Sequence, residues 1–221
     1  MPNGPDPTAP ARRRVELLVF DHFDLLDLGG PYEVLLTANR LAERQGRRAP
    51  FTVSTVGADA APVRAYGGLQ VTPDRAVGDA GCDVLVVPGA IDVDAVVADA
   101  TTLPAIRRAA KRAQLLTSVC TGSLLLGAAG LLGDAGGATT HHEDLAALGE
   151  HLDPTRVIGG VAWVDAGGLV TAGGLANGLA MALHLVHRLV DRPLAEAVAA
   201  NLSVPWSPGD GVTVPVARTR R

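Results

Sequence analysis

The chain has 221 residues, of which 48% are hydrophobic, 19% charged and only 3% aromatic, with a formal net charge of −4. That length and apolar content allow one sizeable core built from Leu, Val and Ala, and one domain. The charge balance leaves no basic footprint for nucleic acid or an anionic membrane, no apolar run has the length of a bilayer span or the form of a signal peptide, and two cysteines make no disulfide framework.

In chain order, residues 1–14 read as a disordered leader. Met1 to Pro10 holds four prolines without apolar period, and the Arg12-Arg13-Arg14 cluster reads as solvated surface. Val15–Phe20 is a first strand. Asp21–Gly30 reads as a loop, and Pro31 as an early residue of an amphipathic helix over Tyr32–Gln45 that Gly46 ends. Phe51–Val56 is a second strand, and Val63–Val71, broken by Gly67-Gly68, a small hairpin. Cys82–Ala90 is a continuously apolar strand that breaks at Pro88-Gly89, which implies burial on both faces. Val93–Asp99 and Leu103–Arg112 are helical.

Gln114–Gly127 is the stretch around which the chain is organised. An apolar strand stops at Cys120, and Thr121-Gly122-Ser123 leads into a Leu/Ala-rich helix that closes near Gly133. A cysteine at such an elbow meets the amides of the helix N-terminus, which favour a thiolate and lower its pKa. The alternative is a small buried hydrophobe. Beyond it, Ala138–His142 is a short strand or turn before a helix over Glu143–Glu150. Gly160–Asp165 and Leu169–Ala172 form a hairpin around Gly167-Gly168. Leu175–Val190 and Arg192–Asn201 are helices, and residues 204–221 form a flexible tail. Cys82 has no role beyond packing.

Strands alternating with helices predict an α/β fold, with a mostly parallel sheet and helices on both faces, in one domain over residues 15–203. Ligands of such folds sit at the carboxyl ends of the strands. Three of those ends carry chemistry: the Asp24/Asp27 loop, Pro88-Gly89-Ala90, and Cys120-Thr121. A cysteine nucleophile needs a proton manager and donors for developing charge. Either aspartate can serve as acid/base, with capping of the following helix as the alternative role. Backbone amides at Gly89, Ala90, Cys120 and Thr121 can cradle the charge. A carboxylate beside a thiolate raises the pKa of one of them, so one proton is shared. His141 and His142 offer a Cys/His dyad or a surface pair at a helix start. Asn177 can face the site or cap the long helix. No Cys/His spacing of zinc type is present.

Leu26-Asp27-Leu28-Gly29-Gly30-Pro31, Val86-Val87-Pro88-Gly89, Ser118-Val119-Cys120-Thr121-Gly122 and Ala138-Thr139-Thr140-His141 together resemble the ThiJ/PfpI superfamily, and within it the isonitrile hydratase branch. The resemblance runs in order from Val15 to Val190. It implies a flavodoxin-like sandwich of the class I glutamine amidotransferase type, usually a homodimer, while the two cysteines without a disulfide framework make a reducing cytoplasm the default compartment. It also implies a hydro-lyase acting on a small molecule without metal or organic cofactor. Cys120 would be the nucleophile, Asp27 the acid/base, and Thr121 would offer its hydroxyl and N–H. Gly89, Ala90, His141, His142 and Asn177 would line the substrate site. The thiolate would attack the terminal carbon of R–N≡C, and an N-substituted formamide would leave by way of a thioimidate.

Four departures qualify this. Thr121 stands where the protease-like branch has His after the cysteine. The Asp27/Thr121 pattern also fits glyoxalase-like relatives poorly. Ala90 replaces the second glycine of Pro-Gly-Gly, and His142 stands where Trp often follows. A reading of another class is a free-standing ligand or oxidant sensor, with Cys120 a low-pKa redox switch. About thirty residues after the long helix leave no room for a helix-turn-helix module.

Overall fold

The computed structural model of the chain describes residues 12–78 and 81–215. Its centre is an eight-stranded sheet of order β10-β8-β9-β7-β6-β1-β2-β5. The strands are β1 (Arg13–Leu18), β2 (Phe51–Gly57), β5 (Arg75–Ala76), β6 (Val84–Val87), β7 (Leu115–Val119), β8 (Trp163–Asp165), β9 (Leu169–Ala172) and β10 (Val212–Thr213), with β3 (Val63–Arg64) and β4 (Gln70–Val71) as a separate antiparallel hairpin. From β9 to β5 the pairings are parallel, and only β8 turns against β9. Four apolar residues in a row, Val84–Val87, are buried because β6 lies at the centre of a sheet covered on both faces.

On one face lie α1 (Leu25–Arg44), α6 (Asn177–Leu189) and α7 (Arg192–Leu202), packed on one another. The other face carries α2 (Val93–Ala98), α3 (Thr102–Ala110), α4 (Gly122–Ala128) and α5 (Leu145–Leu148). No described helix is long and apolar enough to cross a membrane.

Four boundaries differ from expectation. First, β1 starts at Arg13, because the backbones of Arg13 and Arg14 pair with Phe51 and Thr52, so the expected leader over residues 1–14 is too long at its end. Residues 1–11 lie outside the described part. Second, the tail after Val204 contributes structure: β10 pairs in parallel with β8, and the Trp206 indole N–H donates to the Ala180 carbonyl at 3.2 Å. Residues 216–221 of that tail are likewise outside it.

Third, α1 begins at Leu25. Asp24 caps it by accepting the Leu26 N–H at 3.0 Å, and Asp27 stands in its first turn. Gly29 and Gly30, expected before the helix, lie inside it, and Pro31, expected as an early helix residue, stands in its second turn, where a proline removes few ladder bonds. Fourth, α4 stops at Ala128, and a 3₁₀ turn over His142–Asp144 precedes the short α5.

At the sheet end opposite the strand tips, Asp165 anchors β8 to α6. Its carboxylate accepts from His184 Nε2 at 2.8 Å, Arg188 Nη1 at 2.9 Å and the Gly167 N–H at 2.9 Å. Burial pushes the carboxyl up, yet the bonds from His184 and Gly167 and the Arg188 charge outweigh it and hold it below the usual range. A depressed carboxyl contributes stability that is present above its unfolded pKa and lost as pH falls through the folded value. We therefore expect Asp165→Asn to cost about 2 kcal/mol at pH 7 and progressively less as the pH is lowered through the acid range, read by urea titration along that series.

Candidate active site

Asp27, Pro88-Gly89-Ala90 and Cys120 meet where β1, β6 and β7, adjacent in the sheet, end. Cys120 has φ of +56°, a region that L residues rarely occupy. Its neighbours hold it there. Its N–H donates to the carbonyls of Ala172 and Gly173 at 3.2 and 3.1 Å, and its carbonyl accepts from Thr140 Oγ1 at 3.1 Å. The turn keeps the residue only 7% exposed.

Asp27 is fully buried. Its Oδ2 accepts the Gly89 N–H at 3.0 Å, while Oδ1 has no partner of hydrogen-bonding geometry and the Cys120 thiol is the polar group beside it. Burial, then the charge of Asp24, pushes the Asp27 carboxyl up to about 7; the Gly89 amide and the thiol pull the other way. Burial and the neighbouring Asp27 carboxylate likewise push the Cys120 thiol up to about 12, against the N–H groups of Thr121 and Leu175. The expectation that the helix start makes Cys120 a low-pKa thiolate is therefore wrong. Desolvation and a like charge outweigh two amides. Between about pH 7 and 12 the pair holds one proton.

The expected donor cradle is also changed. Gly89 N–H is bound to Asp27. Ala90 N–H donates to Thr121 Oγ1 at 2.9 Å, and that hydroxyl donates back to the Ala90 carbonyl at 2.7 Å. Thr121 thus ties the end of β6 to the elbow, and its hydroxyl is not free for substrate. The amides that face the sulfur belong to Thr121 and Leu175.

Leu175 was not foreseen. It has φ of +44°, and small residues bring it in. A Cβ on Gly178 would lie 2.9 Å from Val119 Cγ1, and one on Gly30 would lie 3.3 Å from Leu179 Cγ. Glycines at both positions let the start of α6 approach the elbow and α1. The sequence signal was Gly173-Gly174 followed by a helix, which marks a close approach without saying which amide it delivers.

Above Cys120 opens a cavity of about 890 Å³, bordered by Ala90, Thr121, Leu124, His141 and Leu175. The His141 ring fills the space that a side chain on Gly174 would need, and its Nδ1 lies 3.5 Å from Asp144 Oδ2. His142 and Asn177 do not reach this cavity. They border a neighbouring groove that His141 shares, with the His142 ring 4.3 Å from that of His141. Asp24 is the helix cap, which settles the choice between the two aspartates in favour of Asp27 as the group at the thiol. Cys82 is buried beside β6, and burial followed by the charges of Glu16 and Asp83 pushes it up to about 12, as for an inert thiol.

Known proteins share both this fold and this sequence. The chain is 38% identical over 212 residues to the isonitrile hydratase of Pseudomonas putida, covering 92% of this chain and 86% of that protein. It is 31% identical over 187 residues to the HTH-type transcriptional regulator GbdR of Pseudomonas aeruginosa, covering 84% of this chain but 49% of the regulator. Among solved structures, a ThiJ/PfpI family protein from Pseudomonas syringae superposes with a TM-score of 0.73 at 29% identity, over 95% of this chain and 84% of that one. Drosophila melanogaster DJ-1beta, at 18% identity and a TM-score of 0.69 over 88% of this chain and all of its own, shares the fold. The family model for DJ-1/PfpI matches residues 13–188, from the first strand to the last turn of α6, and on that match the chain belongs to the DJ-1/PfpI family.

Proposed function

We propose that the protein is a cysteine-dependent hydro-lyase that adds water to isonitriles. The observation that carries this reading is the buried Asp27–Cys120 pair with one proton between the two groups. The proton passes from the thiol to Asp27 as Sγ bonds to the terminal carbon of R–N≡C, and Asp27 then gives it to that carbon. The product is the thioimidate R–N=CH–S on Cys120. Water adds its oxygen to the same carbon and a proton to nitrogen. The C–S bond then breaks, the hydroxyl proton returns through Asp27 to sulfur, and R–NH–CHO leaves. Thr121 and Leu175 N–H groups face the sulfur and steady its charge as the bond forms and breaks.

The P. putida relative supports the reaction class. The GbdR relative supports the alternative of a binding module. The raised Cys120 thiol favours the enzyme over an oxidant sensor, which needs a thiolate at neutral pH. Two free buried cysteines accord with a reducing compartment such as the cytoplasm. Homodimer formation is part of the reading. Leu25, Leu26, Tyr66, Leu69 and Ile91 are 42–59% exposed. Their segments are linked through the backbone, where the Tyr66 N–H binds the Phe23 carbonyl and Phe23 bridges to Ala90.

The test is formamide production from a panel of aliphatic and aromatic isonitriles, followed against pH. The one-proton state of the pair is the active one, whichever atom holds the proton. Protonating Asp27 in addition removes the acceptor. We expect kcat/KM to rise about tenfold per pH unit below 7 and to level above it. A flat profile from pH 5 to 8, or no saturable turnover of any member, would remove Asp27 from the mechanism or the substrate class from the protein.

A further inference from the structure

The cavity over Cys120 carries more charge than its chemistry uses. Its wall includes five carboxylates, Asp92, Asp94, Glu143, Asp144 and Glu150, and neither lysine nor arginine. The groups on that wall able to carry positive charge are His141 and His151. Asp92 accepts the Ala95 N–H as the cap of α2, and Asp144 and Glu143 stand 3.5 and 3.7 Å from His141 Nδ1. The side-chain carboxylates of Asp94 and Glu150 have no ion-pair or hydrogen-bond partner among the described residues.

Asp92, Asp94, Glu143 and Glu150 are exposed and Asp144 is half-buried, so the charges stand at the solvent side of the cavity. They surround the opening to a nearly buried thiol, and behind it lies a wholly buried carboxylate whose Oδ1 has no hydrogen-bonding partner. Deeper in, Val97, Leu124, Ala128 and Ala147 make the wall apolar. A molecule that fills this space has a compact electrophilic end at Cys120, an apolar middle and an outer end among carboxylates. Carboxylates that face one cavity without cations repel one another, and a bound cation relieves that repulsion.

Resting on the isonitrile reading, we propose that the substrate carries a positively charged group, such as an ammonium, several bonds from its reactive carbon. The acidic wall selects it over neutral and anionic isonitriles. Five unit charges at about 10 Å, weakly screened at 10 mM salt, amount to a preference on the order of 100-fold for a cation over an anion of equal size. At 0.15 M salt the same charges give about 10-fold.

Thiosulfonate labelling tests the charge independently of turnover. The rate of Cys120 modification, read by mass spectrometry at pH 8, is compared for 2-aminoethyl and 2-sulfonatoethyl methanethiosulfonate, with methyl methanethiosulfonate as the neutral standard. The cationic reagent should react about 100-fold faster than the anionic one in 10 mM salt, with most of that ratio gone in 0.5 M salt. In the triple variant Asp94→Asn/Glu143→Gln/Glu150→Gln the ratio should fall about 10-fold, while the neutral reagent keeps its rate and so reports an intact fold. Equal rates for the two charged reagents, or a ratio untouched by the triple substitution, would overturn the proposal.

Turnover of three isonitriles of equal length, ending in ammonium, hydroxyl or carboxylate, completes it. Turnover of all three at equal kcat/KM overturns the selectivity and keeps the isonitrile reading. Turnover of none, with the labelling ratio intact, overturns the isonitrile reading and leaves a cavity selective for a cationic electrophile of another kind.

Discussion

Asp27→Asn is expected to make the protein nearly inactive and more stable at the same time, and Cys120→Ala to abolish turnover altogether. The carboxyl of Asp27 stands at about 7 in the folded chain, above its ordinary value of 3.8, chiefly because it is fully buried. From about pH 4 to 7 the folded state keeps a proton that the unfolded chain has lost, so stability falls as pH rises through that window and stays low above it. The full displacement corresponds to something on the order of 4 kcal/mol. Asn cannot ionise, its carbonyl oxygen can still accept the Gly89 N–H, and its N–H groups meet only the Cys120 sulfur. We therefore expect a gain on the order of 2 kcal/mol at pH 8 and none below pH 4. Turnover should drop about 1000-fold, since Asn neither takes the thiol proton nor returns it. Urea titrations at pH 4 and pH 8, with formamide assays beside them, read both effects. Equal stability of the two proteins at pH 8 would mean that the carboxyl is not held up by burial.

That coupling explains why so much of the site was legible in the sequence and why its energetics were not. The elbow at Cys120 showed itself as a buried strand run directly into a Leu/Ala helix, and the Leu-Asp-Leu context of Asp27 distinguished it from Asp24. What sequence could not supply was burial. The same elbow gives a lowered or a raised thiol depending on whether water or Asp27 stands beside it, and the structure places Asp27 there. The amides followed the same rule. Gly89 and Ala90 lie beside Asp27 and Thr121, which bind their N–H groups, and the sulfur is met by the amides of Thr121 and Leu175 instead. A contact between residues 120 and 175 has no local pattern to reveal it. The α1 boundary departs from the sequence pattern for a related reason. Gly29-Gly30 has the punctuation of a loop, but the helix runs through it because α6 packs on Gly30 and the first turn is capped by Asp24. Likewise β10 is a two-residue strand in a Pro/Gly-rich segment, formed only because β8 presents an edge.

Gly89→Ala should damage both the fold and the reaction. Its Cβ would lie 2.5 Å from Thr121 Oγ1, 2.8 Å from Asp27 Oδ2 and 2.8 Å from the Thr121 backbone nitrogen. None of the three can step aside cheaply. The hydroxyl is held from both sides by the Ala90 backbone, the carboxylate by the Gly89 amide, and the nitrogen belongs to the turn that sets the φ of Cys120. The methyl must therefore push α4 from β6 or drive Asp27 off the thiol. Overpacking of this kind costs about 2–3 kcal/mol of stability, and an error of about 1 Å in a proton-transfer pair costs about 100-fold in rate. Ala90→Gly, which removes a methyl at the cavity wall one residue away, should leave the Thr121 bonds in place and change kcat/KM less than tenfold for small isonitriles. Comparing the two by thermal melting and kcat/KM separates the roles of adjacent small residues. If Gly89→Ala keeps wild-type turnover, the Asp27–Gly89 contact does not hold the acid in place, and the fixed geometry of the pair must come from α1 alone.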